Sequence, residues 1–318
     1  MFREPQFRLR KSFNLREQGV FYGFNLIEID MNTDIIALFV CLDDFCKIYN
    51  SSIKEKMLPV GRKRNREGYL SLSEILFIEV LFHLSAYKDF KHFYLYGICH
   101  EHRNKFKKVP TYSRYIAQKK VAFLPLMLIL HYIKGDKTGI YFVDSTPIKV
   151  CRNKRISSNK VFAKMASRSK TSMGWFFGFK LHVVINSKGQ LMAVKITTGN
   201  IDDRCVLEGI LKNLKGSCYA DRGYIDKKKF QKLYMNGLKI VTSIKSNMKN
   251  HLMPLIDKIL LRKRFIIETT FGILKKSMFL EHSRHRSPLH ALINTLSSLV
   301  AYTFRTNKPS IKAFLLTA

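Results

Sequence analysis

Three carboxylates stand out in a chain that is otherwise strongly basic. Asp144 closes "GIYFVD", Asp221 closes "GSCYAD", and Glu268 lies in "LRKRFIIETTFGILKK". After Asp144 no acid follows until Asp202, and the 57 residues from Ser145 to Ile201 hold eleven Lys or Arg. Glu268 is the only acid between Asp257 and Glu281. Taken singly, each has an ordinary structural explanation: a turn cap for Asp144, an Asx turn for Asp221, an i to i+4 ion pair with Arg264 for Glu268. Taken together they permit more. Ligands of α/β sheets collect beyond the carboxyl ends of the strands. Two aspartates ending neighbouring strands, with a helix carrying Glu268 packed across that edge, would converge as three hard oxygen donors. Such donors suit Mg²⁺ or Mn²⁺, and two of these ions about 4 Å apart activate a water and stabilise the leaving oxygen in phosphodiester cleavage.

The elements that would position these residues follow from periodicity. Residues 31 to 135 read as helices: one from about Thr33 to Lys56, and one from Ser71 to about Ile98, opened by a Ser71–Glu74 capping box. A third, with Thr111 or Ser113 as cap, runs to about Ile133 with a kink at Pro125. After "KGDKTG" the period changes from helical to alternating. A strand of Ile140 to Val143 ends at Asp144 and is stopped by Thr146-Pro147, and a basic, Ser-rich connection spans 152 to 173. "WFFGFKLHVVIN", the turn "SKGQ" and "LMAVKITTG" then form a β-hairpin. A helix from Asp203 to Leu214, a strand "SCYA", a helix from Asp226 to Asn236, a strand "KIVTSI" and a long helix from Pro254 to Met278 complete the set. Three strands, helix, strand, helix, strand, helix is the order of the ribonuclease H-like fold, a mixed sheet flanked by helices. On an ideal helix Arg264 and Lys275 lie about 40° and 20° from Glu268, so the three share one face.

Composition narrows the partner. A formal net charge of +33 goes well beyond what solubility needs and points to a polyanion, with nucleic acid ahead of a membrane surface. The longest apolar runs, "IIALFVCL" and "VAFLPLMLIL", fall far short of the roughly 20 residues of a membrane span. The six cysteines form no CxxC pair and read as reduced thiols of a cytoplasmic protein. Cys99-His100-x-His102 lacks a second ligand pair at zinc-finger spacing. Between Glu101 and Asp136 there are eight Lys or Arg and no acid. Arg114, with Tyr112, Ser113 and Tyr115 at a helix start, suits a recognition helix, the alternative being a solvated basic face. Residues 1–30 show no sustained period, whereas Met31 opens a helical pattern. Met31 is therefore expected as the start and 1–30 as a loosely held leader.

"YFVDSTPI", "GWFFGFKLHVVINSKGQ", "TTGNIDDR", "YADRGYID" and "RFIIETTFGILKK" resemble, in order and spacing, the insertion-sequence transposases with a DDE catalytic domain. The resemblance runs from about Met31 to Tyr302 and is most specific at the last motif. There Arg264, Glu268 and Lys275 match a Y-x2-R-x3-E-x6-K signature in which Leu261 replaces the tyrosine. It implies Asp144, Asp221 and Glu268 as catalytic, metal-binding triad, with Mg²⁺ or Mn²⁺, two ions per site. It also implies a helical DNA-binding domain over 31–135, a catalytic domain over 136–305, and a tail at 306–318. The implied partners are double-stranded DNA, as terminal inverted repeats and target, bound by a dimer or higher oligomer in the bacterial cytoplasm at the nucleoid. Only Lys245 to Leu255 separate the last strand from the Glu268 helix, so no inserted β-domain fits there.

Within that resemblance Arg264 and Lys275 are expected to hold phosphates, with Lys180 and His182 as further backbone contacts. For His182 a hydrogen bond within the sheet competes with a DNA contact. Asp202 and Asp203 precede a helix and are read as caps. Trp175 with Phe176, Phe177 and Phe179 is assigned to the core in preference to base stacking. The competing functions are a non-catalytic DNA-binding repressor derived from a transposase and a metal-dependent DNA nuclease. Three intact carboxylates count against the first, and strand transfer separates all three.

Overall fold

A computed structural model describes residues 35–51, 68–171, 174–243, 253–281 and 285–311. The expected leader, the ends of the first helix and most of the tail lie outside them. The chain divides into two compact units, residues 1–133 with 292–306, and residues 134–291 with 307–318.

The first unit contains α1 (Ile35–Tyr49), α2 (Leu72–Leu84), α3 (Phe90–His92), α4 (Tyr112–Gln118) and α5 (Phe123–Tyr132). The Ser71–Glu74 capping box opens α2 as expected: Glu74 N–H donates to the Ser71 hydroxyl, and Ser71 N–H to the Glu74 carboxylate at 2.6 Å. The single helix expected over 71–98 is broken. Ser85 turns extended and its hydroxyl donates to the Phe82 carbonyl, after which Asp89 caps α3 and a wider π-helical stretch follows over Phe93–Glu101. The expected kink at Pro125 appears just before it, as a 3₁₀ turn over Lys119–Ala122 between α4 and α5. Proline has no N–H for the carbonyl four residues earlier, and the chain tightens there. Glu79, Tyr115 and Lys119 are all buried. The Tyr115 hydroxyl donates to the Glu79 carboxylate at 2.6 Å and the Lys119 ammonium at 2.8 Å, with that ammonium 4.4 Å from the Phe90 ring centroid.

The second unit is built on one mixed sheet: β1 (Ile140–Cys151), β2 (Ser167–Thr171), β3 (Gly174–Asn186), β4 (Leu191–Thr198), β5 (Gly216–Ala220) and β6 (Leu238–Thr242). β3 runs antiparallel to β1, and its outer edge is shared by β4, over Phe179–Ile185, and β2, over Gly174–Gly178. β5 and β6 continue the sheet in parallel on the other side of β1. The expected mixed sheet with flanking helices is therefore present. α6 (Asp203–Leu211) and α7 (Lys227–Met235) cover one face, where Val206, Leu207, Ile210 and Leu233 pack on Tyr141, Val143, Val184 and Cys218. α8 (Leu255–Arg262) and α9 (Phe265–Gly272) pack against β1, β5 and β6. Asp257, buried on α8, accepts from the Tyr219 hydroxyl at 2.8 Å and the Lys239 ammonium at 2.6 Å. α10 (Pro288–Phe304) follows, and from residue 292 on it belongs to the first unit.

Three expectations need correction. β1 does not stop at Asp144 but runs on through Pro147. In a strand the N–H and C=O of one residue point to the same side, and the Pro147 carbonyl accepts from Lys275 at 2.6 Å, away from β3. The missing N–H therefore costs no ladder bond. The long helix expected over 254–278 breaks at Lys263 into α8 and α9, with a π-helical end at Ile273–Ser277. The connection 152–173 contains β2, whose alternation of serine with basic residues is the pattern of an exposed edge strand. Among the described residues no helix is long and apolar enough to cross a membrane.

Candidate active site

The sheet brings Asp144 and Asp221 together. β1 and β5 pair in parallel as Ile140↔Ser217, Tyr141↔Cys218 and Phe142↔Tyr219. Two residues further along the same register, Asp144 stands level with Asp221. Neighbouring strands lie about 4.8 Å apart. Each carboxylate is steadied locally, since Ser145 N–H donates to Asp144 and Arg222 N–H to Asp221, both at 2.8 Å. Glu268 comes from α9, one turn after Arg264, and its side chain is 61% exposed.

Arg264 gathers the three. Its guanidinium lies 2.8 Å from Asp144, 3.5 Å from Glu268 and 4.0 Å from Asp221. The first of these is a charge-assisted hydrogen bond, and the other two are looser electrostatic contacts. Burial pushes the Asp144 carboxyl up to about 6, with Asp221 adding to the rise and Arg264 and the Ser145 N–H opposing it. Arg264 is thus the counterion of a site in which carboxylates outnumber cations.

Lys275 lies along β1. It donates to the Pro147 carbonyl and sits 3.4 Å from Glu281, which also accepts from Lys149 N–H at 2.8 Å. Glu281 was missed by sequence reasoning, and its only signal is that it is an acid in an acid-poor stretch. Lys180 is turned inward, donating to Asp203 at 3.0 Å and to the Ile201 carbonyl at 2.9 Å. His182 is enclosed in the sheet, with Nε2 2.9 Å from the Thr197 hydroxyl, so it presents no exposed ring for a backbone contact. Burial drives its pKa down to about 4, Lys180 and Lys195 assisting and Asp203 resisting. Asp202 caps α6 as expected, accepting from Arg204 N–H at 2.9 Å, and the Arg204 guanidinium holds its carboxyl down to about 2. In the first unit Arg114 is exposed on α4 beside the half-exposed Tyr69, its guanidinium 5.9 Å from the ring centroid. Tyr115 is interior, so Ser113, Arg114 and Ala117 form the open face of that helix.

Among the described residues no three His, Cys, Asp or Glu side chains stand in a metal-holding group as placed. The chemistry of the donor set nevertheless fits a hard divalent cation: three carboxylates, all oxygen, already collected around one positive charge.

Residues 134–288 match the family model described as "Transposase DDE domain". Over this span, just under half of the chain, the sequence is similar to transposase DDE domains. The match takes in the whole sheet, and Asp144, Asp221 and Glu268 all fall within the matched residues. Two solved structures also align. "Crystal structure of the Mos1 Strand Transfer Complex" shares 13% identity over 83% of this chain and 88% of that one, with a TM-score of 0.25. "Crystal structure of the Mos1 mariner paired end complex with Mn" shares 12% over 82% and 85%, with a TM-score of 0.22. Superposition at that level adds no weight to the assignment. A comparison with curated proteins found no match.

Proposed function

We propose that the chain is a transposase that binds the terminal inverted repeats of an insertion sequence and, with Mg²⁺ or Mn²⁺, cleaves a DNA strand at the element's end and transfers it into target DNA. The observation that carries this reading is the in-register pair Asp144 and Asp221 with Glu268 around the Arg264 guanidinium, inside the span similar to DDE domains. Asp144, Asp221 and Glu268 would hold the cation, which when bound supplies the charge that activates a water or a 3′-hydroxyl and stabilises the leaving oxygen.

The chain's own residues do the rest. Ser145 and Arg222 N–H fix the rotamers of the two aspartates, so the donors are preorganised. Arg264 offers a forked pair of donors that fits a phosphodiester as well as a carboxylate, and it holds the scissile phosphate beside the triad. Lys275, anchored by Pro147 and Glu281, places a second positive charge along the same strand. Lys180 contributes indirectly, by orienting Asp203 and the start of α6, and His182 by holding β3 to β4 through Thr197. Arg114 on α4 supplies a backbone or base contact from the helical unit.

The test is a strand-transfer assay with a labelled terminal repeat, plasmid target and Mg²⁺. Cleaved and joined products that disappear in Asp144→Asn, Asp221→Asn and Glu268→Gln, with repeat binding retained, support the proposal. Cleavage without joining would make the protein a nuclease. Binding without cleavage would make it a repressor.

A further inference from the structure

Trp175 is the chain's single tryptophan, and it is 50% exposed although the next two residues, Phe176 and Phe177, are buried. The expected core role is therefore corrected. Large aromatic side chains are normally well buried, and an indole left open on a strand calls for a reason. Its surroundings give one. Lys170 pairs with Trp175 directly across the β2–β3 ladder. The Arg168 guanidinium carbon lies 4.7 Å from the indole centroid and the Lys170 ammonium 6.0 Å from it. Asn153 Nδ2 donates to the Trp175 carbonyl at 2.8 Å and ties the turn 153–155 to the start of β3. Two cations and a main-chain anchor thus hold the ring in place while half of it stays open to solvent.

The charge around it is of one sign. Arg152, Lys154, Arg155, Lys160, Lys164, Arg168 and Lys170 are all exposed, and no acid occurs between Asp144 and Asp202. This patch is separate from the carboxylate site. Trp175 is eight residues along β3 from Val183, the partner of Asp144, which is roughly 25 Å at strand rise.

We propose that the paired strands β2 and β3 and the 152–164 turn form a platform for an unpaired DNA strand, with a base stacked on Trp175 and the neighbouring phosphates held by the surrounding Lys and Arg. An acidic peptide would satisfy the charges and leave the indole uncovered. Duplex DNA keeps its bases within its own stack. A single strand supplies both a polyanionic backbone and a flat π-face, the combination that aromatic platforms in basic grooves take up. The inference rests on the reading of the chain as a DNA-processing enzyme and adds a single-strand subsite to it.

Because Trp175 is the only indole, its fluorescence reports on the platform alone. The full chain in EDTA is titrated with a thymidine oligomer of about 20 nucleotides, a duplex of equal length, and heparin. The expected result is strong quenching by the single strand and none by heparin at saturation. By anisotropy of a labelled oligomer, Trp175→Leu weakens single-strand binding by about 5- to 100-fold and leaves duplex binding within about twofold, while Trp175→Phe retains most of the affinity. Equal quenching by heparin, or a Trp175→Leu chain of unchanged melting temperature that binds the oligomer like the wild type, overturns the proposal. Since EDTA removes any need for cleavage, the two readings fail separately. Quenching in a chain that never cleaves sinks the transposase reading, and cleavage by a chain that shows no quenching sinks this one.

Discussion

The Arg264 guanidinium donates to the Asp144 carboxylate at 2.8 Å while lying within 4.0 Å of both Asp221 and Glu268. One cation balances three carboxylates brought together from two parallel strands and a helix. A side chain that stabilises the site without metal is thus the same one that the proposed function assigns to the phosphate.

Arg264→Gln is expected to lower stability in EDTA by about 1–3 kcal/mol. The loss is below that of a fully buried pair because both side chains remain about a fifth exposed. Mg²⁺ should then raise the melting temperature of the variant more than that of the wild type, because it takes up the role of the missing counterion. Melting curves in EDTA and in Mg²⁺ check this, and an unchanged variant in EDTA would show that the contact contributes nothing.

In the helical unit, Glu79 and Lys119 form a buried pair completed by Tyr115. Lys119→Met leaves a buried carboxylate without its cation and should cost about 3–5 kcal/mol, whereas Glu79→Leu with Lys119→Met should recover most of that. Chemical denaturation of the two variants decides the matter. Equal losses in both would mean that packing, not charge, is what Lys119 supplies.

Much of this arrangement could be read from the sequence, and the exceptions have physical causes. Asp144 and Asp221 announce themselves as lone acids closing apolar runs in a basic chain, and Ser71 with Glu74 announces a helix start. The parallel register that sets the two aspartates level depends on β5 meeting β1 across some 77 positions of sequence, which no local pattern encodes. The run of β1 past Pro147 was hidden because a proline forbids a strand only when its N–H faces a partner. β2 was hidden because "SRSKT" has no apolar face, its partner being the edge of β3. Lys180 and His182 looked like surface contacts, but β4 and α6 close over them. Trp175 looked like core because it adjoins Phe176 and Phe177, yet its place at the start of β3, at the end of the sheet, leaves it open.

The net charge of +33 predicts how binding responds to salt. Neutralising even six phosphates gives a slope of about −5 in log K against log salt for duplex DNA. Isotherms for a terminal-repeat duplex at four salt concentrations suffice. A slope near −1 would mean that the basic residues are spread over the surface without tracking a phosphate backbone.

Acid titration should reveal two groups of opposite sign. His182 has its pKa driven by burial down to about 4, from an unfolded value near 6.5, so the fold favours the neutral ring. Its contribution is fully present above about pH 6.5 and is lost as pH falls through about 4. Asp144 has its carboxyl pushed up to about 6 from near 3.8, so its contribution is present below about pH 4 and is lost as pH rises through about 6. At about 1.4 kcal/mol per unit the two are comparable, and in the wild type they largely offset each other between pH 4 and 6.5. The absolute stability curve is therefore uninformative, and the differences carry the test. In EDTA, His182→Gln should make stability rise relative to wild type as pH falls from 6.5 to 4, and Asp144→Asn should make it fall, each by about 1–3 kcal/mol. Denaturant midpoints measured at half-unit steps give both curves. Parallel curves for His182→Gln and the wild type would mean that the ring is free to protonate in the native state, and so that it is not enclosed between β3, β4 and α6.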